Sequence, residues 1–181
     1  QNAVKTNAFL LNTDNGRPKA ELGYNESGNY SFAFKVVSLS DHDIQYEPSV
    51  TVLTEDTVTE NGTVYMAQRA RKLSDDEVTV TAPKKITLAA DGESEINIKI
   101  ELTEKGKSNL KKDFPNGIYI EGYVTLNPIQ NGEEALSYPF MGFFGDWQAL
   151  SMLDSDIYDD ETASICETQI GQFRNSDGGG Y

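Results

Sequence analysis

The single histidine of this 181-residue chain, His42, sits between Asp41 and Asp43 just after Ser40. Serine, histidine and carboxylate together bring acyl transfer to mind, a chemistry that needs the imidazole held between a nucleophile and an acid. Here the group lies in what reads as a strand-connecting loop, so a solvated turn is the expected role. No Gly-x-Ser-x-Gly elbow supports a nucleophile elsewhere. Gly106-Lys107-Ser108 ends like a phosphate loop, but the glycine required at position 101 is Glu101. Cys166 is the only cysteine, which excludes an internal disulfide and a cysteine-rich metal site. Without a second histidine or a resolving cysteine it reads as a small half-buried residue or a free thiol.

Oxygen ligands are denser near the C-terminus, where Asp154, Asp156, Asp159, Asp160 and Glu161 fall within eight residues. Calcium takes several such oxygens from a short loop. The helix-loop-helix calcium pattern is excluded, because it needs Asp or Asn at 158 and Gly at 159, where Tyr158 and Asp159 stand. Two readings stay open, a looser calcium site and a solvated acidic linker; the linker is favoured, and no metal site or cofactor is assigned. Asn-x-Ser/Thr triplets at Asn25, Asn29 and Asn61 accept glycans only in a eukaryotic secretory setting, and chance produces them in turn-rich sequence. Tyr119 and Tyr123 share one strand face and could stack on sugars or a protein. Mutual burial in a core is the expected outcome.

The elements carrying these residues alternate with period two from about residue 30 to 144. Tyr30, Phe32, Phe34 and Val36 form one face of a strand. Ile44, Tyr46, Val50 and Val52 form another, with Pro48 marking an edge or bulge. Asn61-Gly62 predicts a two-residue hairpin between Val58 and Val64. Val78 and Val80 make a short strand; Ile86 and Leu88, then Asp91-Gly92, then Ile96 to Leu102 predict a second hairpin. Residues 103–114 predict one short helix with Leu110 and Phe114 inward. Gly106 weakens that helix by ~1 kcal/mol relative to alanine, and Pro115 stops it. Ile118 to Leu126 carries bulk on both faces and reads as central. Asn131-Gly132 then turns into a strand at 135–144, which ends in Gly142 and Gly145 among Met141, Phe143, Phe144 and Trp147. Glycines among large aromatics mark a sharp turn or a close backbone approach.

Seven or eight short strands make an all-β, antiparallel fibronectin type III or immunoglobulin-like sandwich the expected fold, followed by an irregular C-terminal extension. A net charge of −14 opposes binding to nucleic acid or to an anionic membrane surface. No apolar run approaches the ~18–20 residues of a membrane helix. The opening QNAVKTNAFLL and the closing SDGGGY read as pieces of a longer polypeptide.

Three stretches, residues 21–41 (ELGYNESGNYSFAFKVVSLSD), 116–126 (NGIYIEGYVTL) and 138–159 (YPFMGFFGDWQALSMLDSDIYD), carry a resemblance. Its specific part is a strand with Gly122 and Val124 followed by Pro139-x-x-Gly142-Phe143-x-Gly145-Asp146. The chain resembles the first fibronectin type III-like domain of the subtilisin-like cell-envelope proteases of Gram-positive bacteria, a family that includes lactocepins and streptococcal complement-inactivating surface peptidases. The resemblance implies residues 1–16 as a lead-in from a catalytic domain, 17–147 as the sandwich, and 148–181 as a linker or the start of the next module. It implies an extracellular, cell-wall location and a non-catalytic scaffold that packs on the protease domain and positions later modules or protein substrates. No catalytic residue carries over, since neither the triad nor the G-T-S-x-A-x-P segment is present. Phe143, Phe144 and Trp147 are the expected junction contacts, and Gly142 and Gly145 the structural turn. The alternative is an adhesion or carbohydrate- or protein-binding module. The stretch 54–75 departs from the family pattern and leaves its strand count open.

Overall fold

The computed structural model describes residues 6–148. Alternation sends Tyr30, Phe34 and Val36 to the buried side of β3 (Asn29–Ser38), while β8 (Glu93–Leu102) answers with Ile96, Ile98 and Ile100. These two strands pair antiparallel, Phe32 opposite Ile98 and Phe34 opposite Ile96. The short strands β1 (Ala8–Asn12) and β6 (Val78–Thr81) flank them, giving a four-stranded sheet of order β1-β3-β8-β6.

The second sheet follows the order β2-β10-β9-β4-β5, with β7 also on β4. Its members are β2 (Ala20–Asn25), β4 (Ile44–Glu60), β5 (Thr63–Lys72), β7 (Ile86–Leu88), β9 (Ile118–Pro128) and β10 (Leu136–Phe144). As expected, β9 is interior, between β10 and β4. The inner faces of the two sheets meet in one core, in which the rings of Phe34 and Tyr138 stack at 4.2 Å between centroids. Fully burying an aromatic of this size contributes about 2–3 kcal/mol. The fold is thus the expected all-β sandwich.

Three expectations are corrected. Ten strands, not seven or eight, occur among the described residues. One of them, β1, lies inside the stretch expected as a lead-in, and Ala8 and Leu10 are in the core. Second, β2 runs parallel to β10. Third, Asp91-Gly92 makes no hairpin, because β7 pairs with β4 and β8 with β3. A type I′ turn needs positive φ at both central residues. Asn61 (φ 51) and Gly62 (φ 83) comply and close the β4–β5 hairpin, whereas of the other pair only Asp91 (φ 50) does. Instead the Ala89–Gly92 turn, closed by Gly92 N donating to Ala89 O at 3.0 Å, carries the chain from one sheet to the other.

The helix α1 (Glu104–Asp113) starts where Thr103 Oγ1 accepts from Gly106 N at 3.1 Å, and Leu110 is buried as expected. Gly106 has a structural reason. A Cβ there would stand 2.1 Å from the backbone oxygen of Glu77, so the first helical turn lies directly on that segment. Glu77 itself is buried and accepts from Arg71 Nη1 (2.7 Å) and Nη2 (3.2 Å), Ser74 N (3.1 Å), Ser74 Oγ (2.9 Å) and Asn109 Nδ2 (3.2 Å). This network fastens the stretch whose strand count the sequence left open. That stretch is the outer half of the β4–β5 hairpin and the turn into β6.

Candidate functional site

Strand parity decides what the Gly-aromatic segment does. Along β10, Tyr138, Phe140, Gly142 and Phe144 face the core, and Pro139, Met141 and Phe143 face outward. Phe144 is therefore a core residue with Lys111 Nζ 5.7 Å from its ring centroid, and the structure removes it from the expected junction contacts. Gly142 is likewise no turn. It lies within β10, where a Cβ would come within 2.9 Å of the Tyr30 ring and 3.0 Å of Leu22 Cβ, so the close-approach half of the expectation applies. Gly145 does turn the chain: it follows β10 with φ 140, a conformation that favours glycine, and its N–H donates to Asn25 O at 3.0 Å.

Phe143 pairs with Tyr119 of β9 on the outer face, and there Trp147 folds back over both. Ring centroids are 5.4 Å apart for Tyr119–Phe143, 5.8 Å for Tyr119–Trp147 and 4.6 Å for Phe143–Trp147. Phe143 is buried beneath its neighbours, while Trp147 is 47% exposed and Tyr119 39%. Tyr123, two positions further on the same face, is 47% exposed. Mutual burial of the two tyrosines in a core is thereby corrected. Being four residues apart, they sit about 13 Å from one another along the strand and open to solvent. Tyr24, not singled out in the sequence, and Met141, named there only among the large residues around the glycines, join them on this face through the ladders to Phe143 and to Glu121. The signal was the odd-numbered register of β10, legible only once β10 is placed between β2 and β9.

The histidine group is a loop fastening. His42 Nδ1 lies 2.8 Å from Ser40 Oγ and 3.0 Å from Asp41 Oδ1; Nε2 lies 3.0 Å from Glu133 Oε1. Glu133 also accepts from Asn7 Nδ2. The Asp41 carboxylate, then that of Glu133, raise the imidazole pKa above its ordinary value. The arrangement mimics a triad, but Ser40 is only 4% exposed and its Oγ accepts from the backbone N of His42 at 3.2 Å. A hydroxyl buried in its own turn has no approach for a carbonyl substrate. Among the described residues no group of three His, Cys, Asp or Glu side chains could hold a metal ion. Asp154 to Glu161 and Cys166 lie outside those residues. What the geometry offers is an aromatic and apolar sheet face, a surface for contact.

An Fn3-like domain family matches residues 21–141. The chain belongs to that family. The Fn3-like domain is 28% identical over 156 residues to the C5a peptidase of Streptococcus pyogenes serotype M1, covering 86% of this chain and 12% of that protein. It is 26% identical over 158 residues to the PII-type proteinase of Lactococcus lactis subsp. cremoris, covering 84% of this chain and 8% of that one. The chain thus spans a small part of the curated relatives it matches. Among solved structures, the PapD-like domain 7 of human CEP192 aligns with a TM-score of 0.45 at 14% identity, covering 76% of this chain and 84% of that one. The resemblance to the Fn3-like domain of cell-envelope subtilisin-like proteases is borne out.

Proposed function

We propose that this Fn3-like domain is a non-catalytic scaffold of an extracellular, cell-surface peptidase. In this reading it packs on the protease domain through the Trp147 cluster, and residues 148–181 lead to the next module. The observation that carries it is the aromatic cluster at the end of β10. Phe143 is covered, while Tyr119 and Trp147 present their remaining surface where the strand ends. Large aromatics left half-exposed in this way supply contact area at domain junctions, whose interfaces run ~600–1,500 Å². The two peptidase relatives, matched over 12% and 8% of their lengths, support the reading. So does the Ser40–His42 geometry, which holds its hydroxyl away from solvent.

The test is Trp147→Ala in two settings. In the 181-residue chain a half-exposed ring contributes about 1 kcal/mol, so the melting temperature falls only slightly. In the longer polypeptide that carries the preceding protease domain, the same change speeds proteolytic cutting between the two domains. An equal effect in both settings refutes the junction. Turnover of a protein substrate by the 181-residue chain alone would overturn the non-catalytic assignment.

A further inference from the structure

We propose that the outer face of the six-stranded sheet docks a basic protein segment, with an arginine or lysine side chain seated over Met141 between Glu21 and Glu121. The inference rests on the sheet face and is independent of the junction proposed for Trp147. Tyr24, Tyr123 and Met141 are exposed on this face apart from the Trp147 cluster, a concentration of apolar surface that marks interaction sites. Its middle is a shallow cleft of ≈ 230 Å³ lined by Lys19, Glu21, Glu121, Tyr123, Pro139 and Met141.

The ladders fix the chemistry of the cleft. Met141 is the direct partner of Glu21 on β2 and of Glu121 on β9, so two carboxylates flank one thioether. Two strand spacings separate their Cα atoms by about 10 Å. Glu21 already holds Lys19, whereas the Glu121 carboxylate has no hydrogen bond or ion pair among the described residues. Two further bases come from β5: Lys72 stands across Leu53 from Glu121, and Arg69, which shares a neighbouring cleft with Glu121, is already held by Asp56 at 2.6 Å. An incoming basic side chain would lay its aliphatic stem on Met141 and Pro139. Its cation would lie against the Tyr123 ring, and its N–H groups would reach the Glu121 carboxylate. The net charge of −14 steers a cationic partner towards the domain. A neutral sugar could stack on the same rings, but would gain nothing from the flanking carboxylates' charge or from that steering.

The experiment is an amide NMR titration of the 181-residue chain at low salt with a synthetic peptide alternating arginine and leucine. The same peptide carrying citrulline, the neutral isostere, is titrated in parallel. The proposal expects shifts centred on Glu21, Glu121, Tyr123 and Met141 with the arginine peptide alone. It also expects binding about fivefold weaker after Glu121→Gln or Tyr123→Ala, with Glu104→Gln on the exposed helix as an unaffected control. Unchanged spectra away from the cleft check that the variants are folded. Equal binding of the citrulline peptide, equal weakening by Glu104→Gln, or shifts centred elsewhere would overturn it. So would the same shifts produced by a cello-oligosaccharide, which would make the face a sugar site.

Discussion

Removing the Glu77 charge tests the account of the long β4–β5 hairpin. Burial alone would push this carboxyl up, but Arg71, the Ser74 backbone N–H and hydroxyl, and Asn109 outweigh it and bring the pKa to about 2 from 4.5. A depression of that size corresponds to about 3 kcal/mol in favour of the charged, folded state. Because the folded value lies below the unfolded one, the contribution is complete above about pH 5 and shrinks as pH falls towards 2; at pH 2.5 about 1 kcal/mol remains. Glu77→Gln keeps the shape but turns an amide donor towards the Arg71 donors. Breaking a buried pair costs about 3–5 kcal/mol, and the partial exposure of Arg71 places this loss near the lower end. Urea unfolding of the full chain, followed by far-ultraviolet circular dichroism from pH 7 to pH 2.5, reads the difference between the two proteins. The expected gap is about 3 kcal/mol at pH 7 and closes to about 1 kcal/mol at the acid end. A gap that stays constant with pH, or is absent at neutrality, refutes the assignment of Glu77 as a charged anchor.

Two further outcomes follow from contacts of the same kind. Gly106→Ala sets helix propensity, a gain of about 1 kcal/mol, against a Cβ 2.1 Å from a backbone oxygen that cannot swing aside. Overpacking costs about 1–3 kcal/mol, so the variant is expected to be less stable in urea, and a more stable one would show that α1 does not rest on Glu77. For His42, a proton NMR titration is expected to give a midpoint above 6.5, lowered by Asp41→Asn and by Glu133→Gln. The folded pKa is the higher one, so the pairing stabilises fully below pH 6.5 and is lost as pH rises through the folded value. A midpoint at or below 6.5 would remove the Asp41–His42–Glu133 fastening.

Period-two alternation was enough to identify the sandwich, because β3, β8, β9 and β10 each have one face turned to the core. Tyr30 to Val36 and Ile96 to Leu102 could be read directly, since both strands are interior to the four-stranded sheet. Short edge strands were harder. β1 contributes only Ala8 and Leu10 to the core, too few apolar positions to show a period. The Asp91-Gly92 error has a different cause. Turn composition reports that the chain reverses, not which sheet receives it, and the receiving partner of Ile86–Leu88 is Ile44–Tyr46, some forty residues earlier.

The candidate site was legible as composition and illegible as geometry, and the pair Phe143-Phe144 shows why. Two identical neighbours in a strand must point to opposite faces. One therefore enters the core, while the other depends on whatever covers the outer surface of the sheet. Composition counts both as excess apolar bulk, so the sequence assigned both to a junction. Placing β10 between β2 and β9 separates them. Phe144 joins the core, and Phe143 needs Tyr119 and Trp147 over it because no third layer of the described residues covers that face. The same parity turns Met141 and Tyr123 outward beside Glu21 and Glu121. Aromatics and a methionine exposed on the outside of a sheet are the feature on which the proposed docking of a basic segment rests.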